Sequence, residues 1–199
     1  MKFKYVKTEM KNDILYAGEE PLVALSEKEL QEFFIKRFIR KSDKVLEIGY
    51  GLGLSAKAIA DIKPKVHVIV ELNRELCERA ENEISNAEIV NDNWKNLEVS
   101  LFKKIDKVVY EVGPEKSNLE GKDFALAHVK PAVEVILKKI NVGASVGVID
   151  PSGELSDYDI KRIAKCDVFV NVVKCPDDLV PKGLPWFENG CNFLYIEKL

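Results

Sequence analysis

Lys44-Val-Leu-Glu-Ile-Gly-Tyr-Gly-Leu-Gly53 is the stretch on which the fold turns. Lys44–Ile48 is a short apolar run of the kind that forms a buried strand. It passes through an acid, Glu47, into three alternate glycines, Gly49, Gly51 and Gly53. Glycines in that position let the chain turn sharply and let backbone approach a neighbour with no Cβ in the way. A helical stretch, Ser55–Asp61, follows at once, and its N-terminus brings unpaired N–H groups to the loop. The spacing is G-x-G-x-G, not the G-x-G-x-x-G of a dinucleotide loop. It is not a phosphate loop ending in Gly-Lys-Ser/Thr either, because Lys57 comes too late. Glu47, at the mouth of such a loop, is a poor neighbour for a pyrophosphate and a good one for a cationic ligand end.

Outward from this loop the chain alternates strands and helices. Strands are expected at Val66–Val70, Glu88–Val90, Lys107–Tyr110 and Ser145–Ile149, with helices at Arg74–Ser85, Trp94–Phe102 and Phe124–Ile140 between them. That alternation implies a parallel sheet covered by helices on both faces. The end differs. Val168–Val173 and Asn192–Ile196 read as strands joined by a Pro-, Gly- and Asp-rich loop without a helix, so they should run antiparallel. The expected fold is α/β: a Rossmann-like, doubly wound, seven-stranded sheet, mostly parallel, with an antiparallel C-terminal hairpin. Ahead of it, Leu25–Arg40 has apolar residues at helical spacing, and Ser26 with Glu29 resembles a capping box. Residues 1–40 are read as an N-terminal segment whose helix covers the active site, and residues 41–199 as the cofactor-binding domain.

The ligand with a cationic end that suits Glu47 is S-adenosylmethionine, through its amino acid part and sulfonium. Glu71 ends the second strand 22 residues after Gly49, where an acid accepts ribose hydroxyls. Asn91-Asp92-Asn93-Trp94, after the third strand, is placed to cover the adenine: Asp92 as acceptor for its amino group, Trp94 against the ring. Asp92 reads equally as a helix N-cap and Trp94 as core. The candidate cofactor residues are Glu47, Gly49, Tyr50, Gly51, Gly53, Glu71, Leu72, Asp92, Asn93 and Trp94.

LEIGYGLG, VHVIVE, NDNWKNL and DKVVYEVGP together resemble class I S-adenosylmethionine-dependent methyltransferases over roughly residues 17 to 150. The order is most like the guanidinoacetate and arginine N-methyltransferase branch. Its acid-and-proline segment after the fourth strand matches Tyr110-Glu111-Val112-Gly113-Pro114, with Glu111 in place of Asp. Its acidic element ahead of the first strand matches Glu19-Glu20-Pro21. The resemblance implies methyl transfer in line from the sulfonium to an acceptor held in near-attack geometry. Glu111 and Glu19 are the candidate catalytic groups, two carboxylates that would grip a planar cation and accept its proton.

Asp150-Pro-Ser-Gly153 after the fifth strand, and Trp186 and Phe187 in the last loop, are further acceptor-side candidates, while His128 reads as structural. An aminopropyltransferase-like enzyme and a non-catalytic S-adenosylmethionine-binding subunit are the alternatives.

Composition narrows the partners. Over 199 residues the net charge is -3, the pI about 5.6, and no long basic stripe is present. A small-molecule acceptor is therefore expected, with no nucleic acid, no membrane and a homodimer left open. The four cysteines form no CxxC pair, and with His67 and His128 far apart no metal site is expected. The amino-terminal residues lack the apolar core of a secretory signal, so a cytoplasmic location is expected.

Overall fold

The computed structural model describes residues 6–112, 121–184, 187 and 190–199. The chain divides into two compact units, Met1–Glu98 and Val99–Leu199.

The first unit opens with a three-stranded antiparallel sheet that the sequence reading did not foresee: β1 (Thr8–Lys11), β2 (Ile14–Ala17) and β3 (Glu20–Ala24). Two-residue turns connect the strands. Asn12 and Asp13 both take positive φ, 49° and 64°, in the first turn. That is the twist a tight hairpin needs, and short Asx side chains tolerate it. Gly18, at φ 66°, supplies it in the second. Leu15 and Val23 turn inward from this sheet and are buried.

After a 3₁₀ turn at Leu25–Glu27 comes α1 (Lys28–Phe38), which buries Leu30, Phe34, Ile35 and Phe38 along one face. Burying side chains of this size contributes roughly 1.5–3 kcal/mol each. The start of the helix differs from the expected Ser26–Glu29 box. Glu27 Oε1 accepts from the Ala24 N–H at 2.9 Å, and its other oxygen accepts from the Gln31 amide at 3.4 Å. Gln31 in turn accepts from the Ser55 hydroxyl at 2.8 Å. All three side chains are buried, and this polar chain fastens α1 to α2 (Leu54–Ile62). The parallel strands β4 (Lys44–Ile48), β5 (Val66–Glu71) and β6 (Glu88–Asn91) follow, with α3 (Arg74–Glu83) between the last two.

The second unit holds α4 (Val99–Phe102) and β7 (Lys107–Tyr110), then α5 (Gly121–Pro131), which widens into a π-helical stretch at Ala132–Ile136 before α6 (Leu137–Lys139). The sequence reading took Phe124–Ile140 as one plain helix. Pro131, which has no N–H to donate, lies where the α-helical stretch gives way to the π-helical one. Then come β8 (Ser145–Asp150), α7 (Asp157–Ala164), β9 (Val168–Lys174) and β10 (Asn192–Lys198). α7 was not foreseen, although Ser156 and Asp159 form a reciprocal capping box at its start. β8 runs parallel to β7, and β10 is antiparallel to both β8 and β9. The seven strands form one mixed sheet in the order β6-β5-β4-β7-β8-β10-β9. Among the described residues no helix is long and apolar enough to cross a membrane.

Candidate cofactor and acceptor site

The glycine loop leaves β4 with Gly49, Gly51 and Gly53 at φ 93°, 53° and 70°. All three lie in the left-handed region that side-chain-bearing residues avoid, so the alternation is imposed by backbone shape. The space beside two of them is already taken. A Cβ on Gly51 would lie 2.9 Å from Cγ1 of Val23 in β3. One on Gly53 would lie 2.5–2.8 Å from the Tyr50 ring and hydroxyl. These glycines therefore admit protein neighbours, a tighter reason than ligand approach alone.

Tyr50 was expected to touch the cofactor. Its side chain is buried and turned into the protein, and its hydroxyl donates to Glu83 Oε2 at 3.0 Å. Glu83 also pairs with Lys57 and Arg79, each at 2.7 Å. Partial burial works against the Glu83 carboxylate, but the Lys57 and Arg79 cations and the Tyr50 hydroxyl outweigh it and hold its pKa down to about 2. Burial, then the charge of Glu83, push the Tyr50 hydroxyl well above its ordinary value. The network ties the loop to α2 and α3 and leaves Tyr50 only its backbone to offer at the loop mouth.

That backbone meets Glu71. The Tyr50 N–H donates to Glu71 Oε2 at 2.8 Å, and the Asn73 N–H to Oε1 at 2.7 Å. Burial raises the Glu71 carboxyl, opposed by amides of Asn73, Tyr50, Leu72 and Gly51. Glu71 thus fixes the loop to the end of β5. Asn73 caps α3 by accepting from the Glu75 and Leu76 N–H groups at 3.0 and 3.3 Å, and its amide donates to the Val6 carbonyl at 2.7 Å. Glu75 accepts from both the N–H and the hydroxyl of Thr8, at 2.8 and 2.7 Å. The N-terminal sheet is therefore latched beside the loop and the turn after β5. Half-buried Leu72 lies in that turn.

Glu47 is not at the loop mouth. Its carboxylate is buried, with Oε2 2.8 Å from Nε2 of buried His67 in β5. Burial raises its pKa, and the hydrogen bond and charge of His67 pull the other way. The sequence reading treated His67 only as an improbable metal ligand. Its place one strand over, two positions earlier in register, is a long-range fact that spacing does not carry. Among the described residues no group of His, Cys, Asp and Glu is arranged to hold a metal.

After β6 the helix cap is Asn93, whose side chain accepts from the Lys95 N–H at 3.0 Å. Asp92 is half-buried and accepts from the Asn93 N–H at 2.6 Å and the Asn96 amide at 3.1 Å. Trp94 is buried, with the Lys95 ammonium 5.7 Å from its ring centre. The expected helix Trp94–Phe102 is a 3₁₀ turn at Trp94–Asn96 and the separate α4.

In the second unit Glu111 is half-buried, directly beyond the last residue of β7. His128 of α5 packs obliquely on Tyr110, with ring centres 5.9 Å apart, near the backbone of Val112 and Ile149. Its ring is held neutral: burial lowers the pKa to about 4 against the charge of Asp150 and the backbone of Val112 and Ile149. Asp150 is fully buried, and its carboxylate accepts from the Ser152 N–H and hydroxyl and from the Leu155 N–H at 2.8–3.0 Å. This spends it on the turn after β8. Phe187 is buried, while Pro114 and Trp186 lie outside the described residues. Glu19 sits exposed in the β2–β3 turn.

Comparison with known proteins follows this geometry. The family model of ribosomal RNA adenine dimethylase matches residues 25–119. No curated protein matches the chain in sequence. Among solved structures, a methyltransferase from Pyrococcus furiosus is similar over 97% of this chain and 88% of its own, at 17% identity and TM-score 0.61. A TehB-like SAM-dependent methyltransferase from Corynebacterium glutamicum covers 85% and 87%, at 16% identity and TM-score 0.57. The tRNA m1G37 methyltransferase of M. jannaschii covers 98% of this chain and 57% of its own, at 12% identity and TM-score 0.58. These similarities do not show the guanidinoacetate and arginine branch. The expectation of no nucleic-acid partner is corrected: the matching family model describes enzymes of ribosomal RNA, and the M. jannaschii relative one of tRNA. Net charge misled here, because an average of -3 says nothing about individual faces. The chain is an S-adenosylmethionine-dependent methyltransferase with the class I fold.

Proposed function

We propose that this methyltransferase transfers a methyl group to a nitrogen of an RNA base. The observation that carries the reading is the rRNA adenine dimethylase match over residues 25–119, which runs from α1 through the glycine loop, Glu71 and Asp92 to Glu111. The residues present fit the cofactor. Glu71 is an immobilised carboxylate beside the loop, suited to ribose hydroxyls, and the half-buried Asp92 and Leu72 flank the turns where the adenine would rest. When bound, S-adenosylmethionine supplies an electrophilic methyl group on a sulfonium.

The protein's own work is positional. The glycine loop, locked by Glu71 and by Tyr50 through Glu83, is rigid before ligand arrives, so little ordering remains to be done on binding. Glu111, at the carboxyl end of β7, accepts a hydrogen bond from the acceptor N–H and takes its proton as the nitrogen is methylated. Neutral His128 packs on Tyr110, the residue before Glu111, and the buried Asp150 fixes the neighbouring turn.

The test is transfer of labelled methyl from S-adenosylmethionine to ribosomal RNA and to tRNA transcripts, with guanidinoacetate and polyamines in parallel, followed by nucleoside mapping. Label in one RNA nucleoside supports the reading. Label only in a small molecule overturns it.

A further inference from the structure

β9 and β10 end in two cysteines that face each other. The last strand pair in register is Lys174 with Asn192, and the next positions are Cys175 and Cys191. The Cys175 N–H donates to the Cys191 carbonyl at 3.0 Å, so the antiparallel pairing continues through them. Residues directly opposed in such a pair have Cα atoms about 4.5–5.5 Å apart. That lies inside the roughly 4.4–6.8 Å that disulfides span. The Cys175 thiol donates to the Pro176 carbonyl at 3.3 Å, and the Cys191 thiol faces its sulfur. Both residues are buried, 2% and 1% exposed, whereas Cys166 is exposed and Cys77 is buried in the other unit.

The position has meaning for the site. Asn192 pairs with Asp150 in register, so the cysteines lie at the carboxyl end of β8, the end from which the Asp150 turn leaves. They are also the two feet of the segment 176–190.

We propose that Cys175 and Cys191 are a covalent modification site, forming a reversible disulfide that ties the two feet of segment 176–190 together. The electron acceptor is a low-molecular-weight disulfide such as oxidised glutathione. One cysteine loses its proton to water, attacks that disulfide and expels one glutathione thiolate. The second, deprotonated in turn, attacks the protein-side sulfur of the mixed disulfide and expels the other. Two protein thiols thus become one S–S bond, and the two electrons reside on two glutathione thiols. Burial pushes the Cys175 thiol up, so oxidation is slow at neutral pH and faster when the hairpin end opens.

The test uses the full chain carrying Cys166→Ser, equilibrated at neutral pH and mild warmth with mixtures of reduced and oxidised glutathione, then alkylated and digested with trypsin. Cleavage after Lys174, Lys182 and Lys198 separates the two cysteines onto peptides 175–182 and 183–198. The expected result is one covalently joined pair of these peptides, released by reductant. The oxidised protein should melt about 5–10 °C higher, as closing a loop of about 15 residues implies. Cys175→Ser should abolish both effects. Two alkylated peptides across the whole range, or glutathione adducts in place of the joined pair, would overturn the proposal. So would a joined pair that leaves the melting temperature unchanged. None of these readouts depends on RNA or on methyl transfer.

Discussion

Gly53→Ala tests whether the loop's shape is dictated by protein packing. The new Cβ would lie 2.5 Å from the Tyr50 hydroxyl oxygen, 2.6 Å from Cζ and 2.8 Å from Cε2, on a backbone at φ 70°. Holding alanine in the left-handed region costs about 1–2 kcal/mol. The ring cannot yield cheaply, because moving it breaks the partly buried hydrogen bond to the Glu83 carboxylate, worth roughly 1.5–3 kcal/mol. Together the loss is about 3–5 kcal/mol, or on the order of 10 °C in melting temperature for a chain of this length. Urea unfolding of wild type, Gly53→Ala, Tyr50→Leu and the double variant separates the two contributions. With the ring gone, the alanine should cost only its backbone share, so the cycle should show about 1.5–3 kcal/mol of coupling. Costs that add to within about 0.5 kcal/mol would mean that the ring does not occupy the space beside Gly53.

Glu71→Ala should weaken S-adenosylhomocysteine binding at least tenfold by calorimetry, and unchanged affinity would remove Glu71 from the cofactor site. Glu111→Gln should lower kcat for RNA methylation by roughly 10²-fold with little change in KM, as loss of a proton acceptor predicts; an equal loss for binding alone would assign it to recognition. His128 is held at about 4 against an ordinary 6.5, so the unfolded chain binds its proton first as pH falls. Its stabilisation is complete above 6.5 and is lost as pH drops toward 4, up to roughly 3 kcal/mol. His128→Gln should therefore show a shallower fall in urea midpoint over that window than wild type, and parallel curves would refute the assignment.

The sheet was legible because its strands are short apolar runs whose burial is local to each run. Lys44–Ile48 and Lys107–Tyr110 fall where the pattern puts them, and Val66–Glu71 gains only Glu71 at its end. The N-terminal sheet was not legible. Its strands have only four or five residues, and most of β1 is exposed, so little apolar alternation exists to read. The glycine loop and Glu71 beside it were legible as a candidate site, yet the local partners of Glu47 and Tyr50 were not. Glu47 looks like a ligand acid until His67 arrives from β5, and Tyr50 looks like a contact residue until Glu83 arrives from α3. Those partners are 20 and 33 residues away, beyond what spacing can report. The expectation of no nucleic acid failed for a different reason: net charge is a sum, and recognition depends on where the charges lie.

The order of the last three strands bears on how the chain is made. β10 lies between β8 and β9, so the last of the seven strands to be synthesised is an interior strand of the sheet. Until it emerges, β9 has no neighbour to pair with and β8 presents an open edge carrying Val146 and Val148, both fully buried in the finished protein. The nascent chain therefore passes through an interval with an unpaired apolar edge, the condition under which β proteins aggregate or recruit chaperones. Completion of this half of the sheet is a single late event, the insertion of Asn192–Lys198 between two waiting strands.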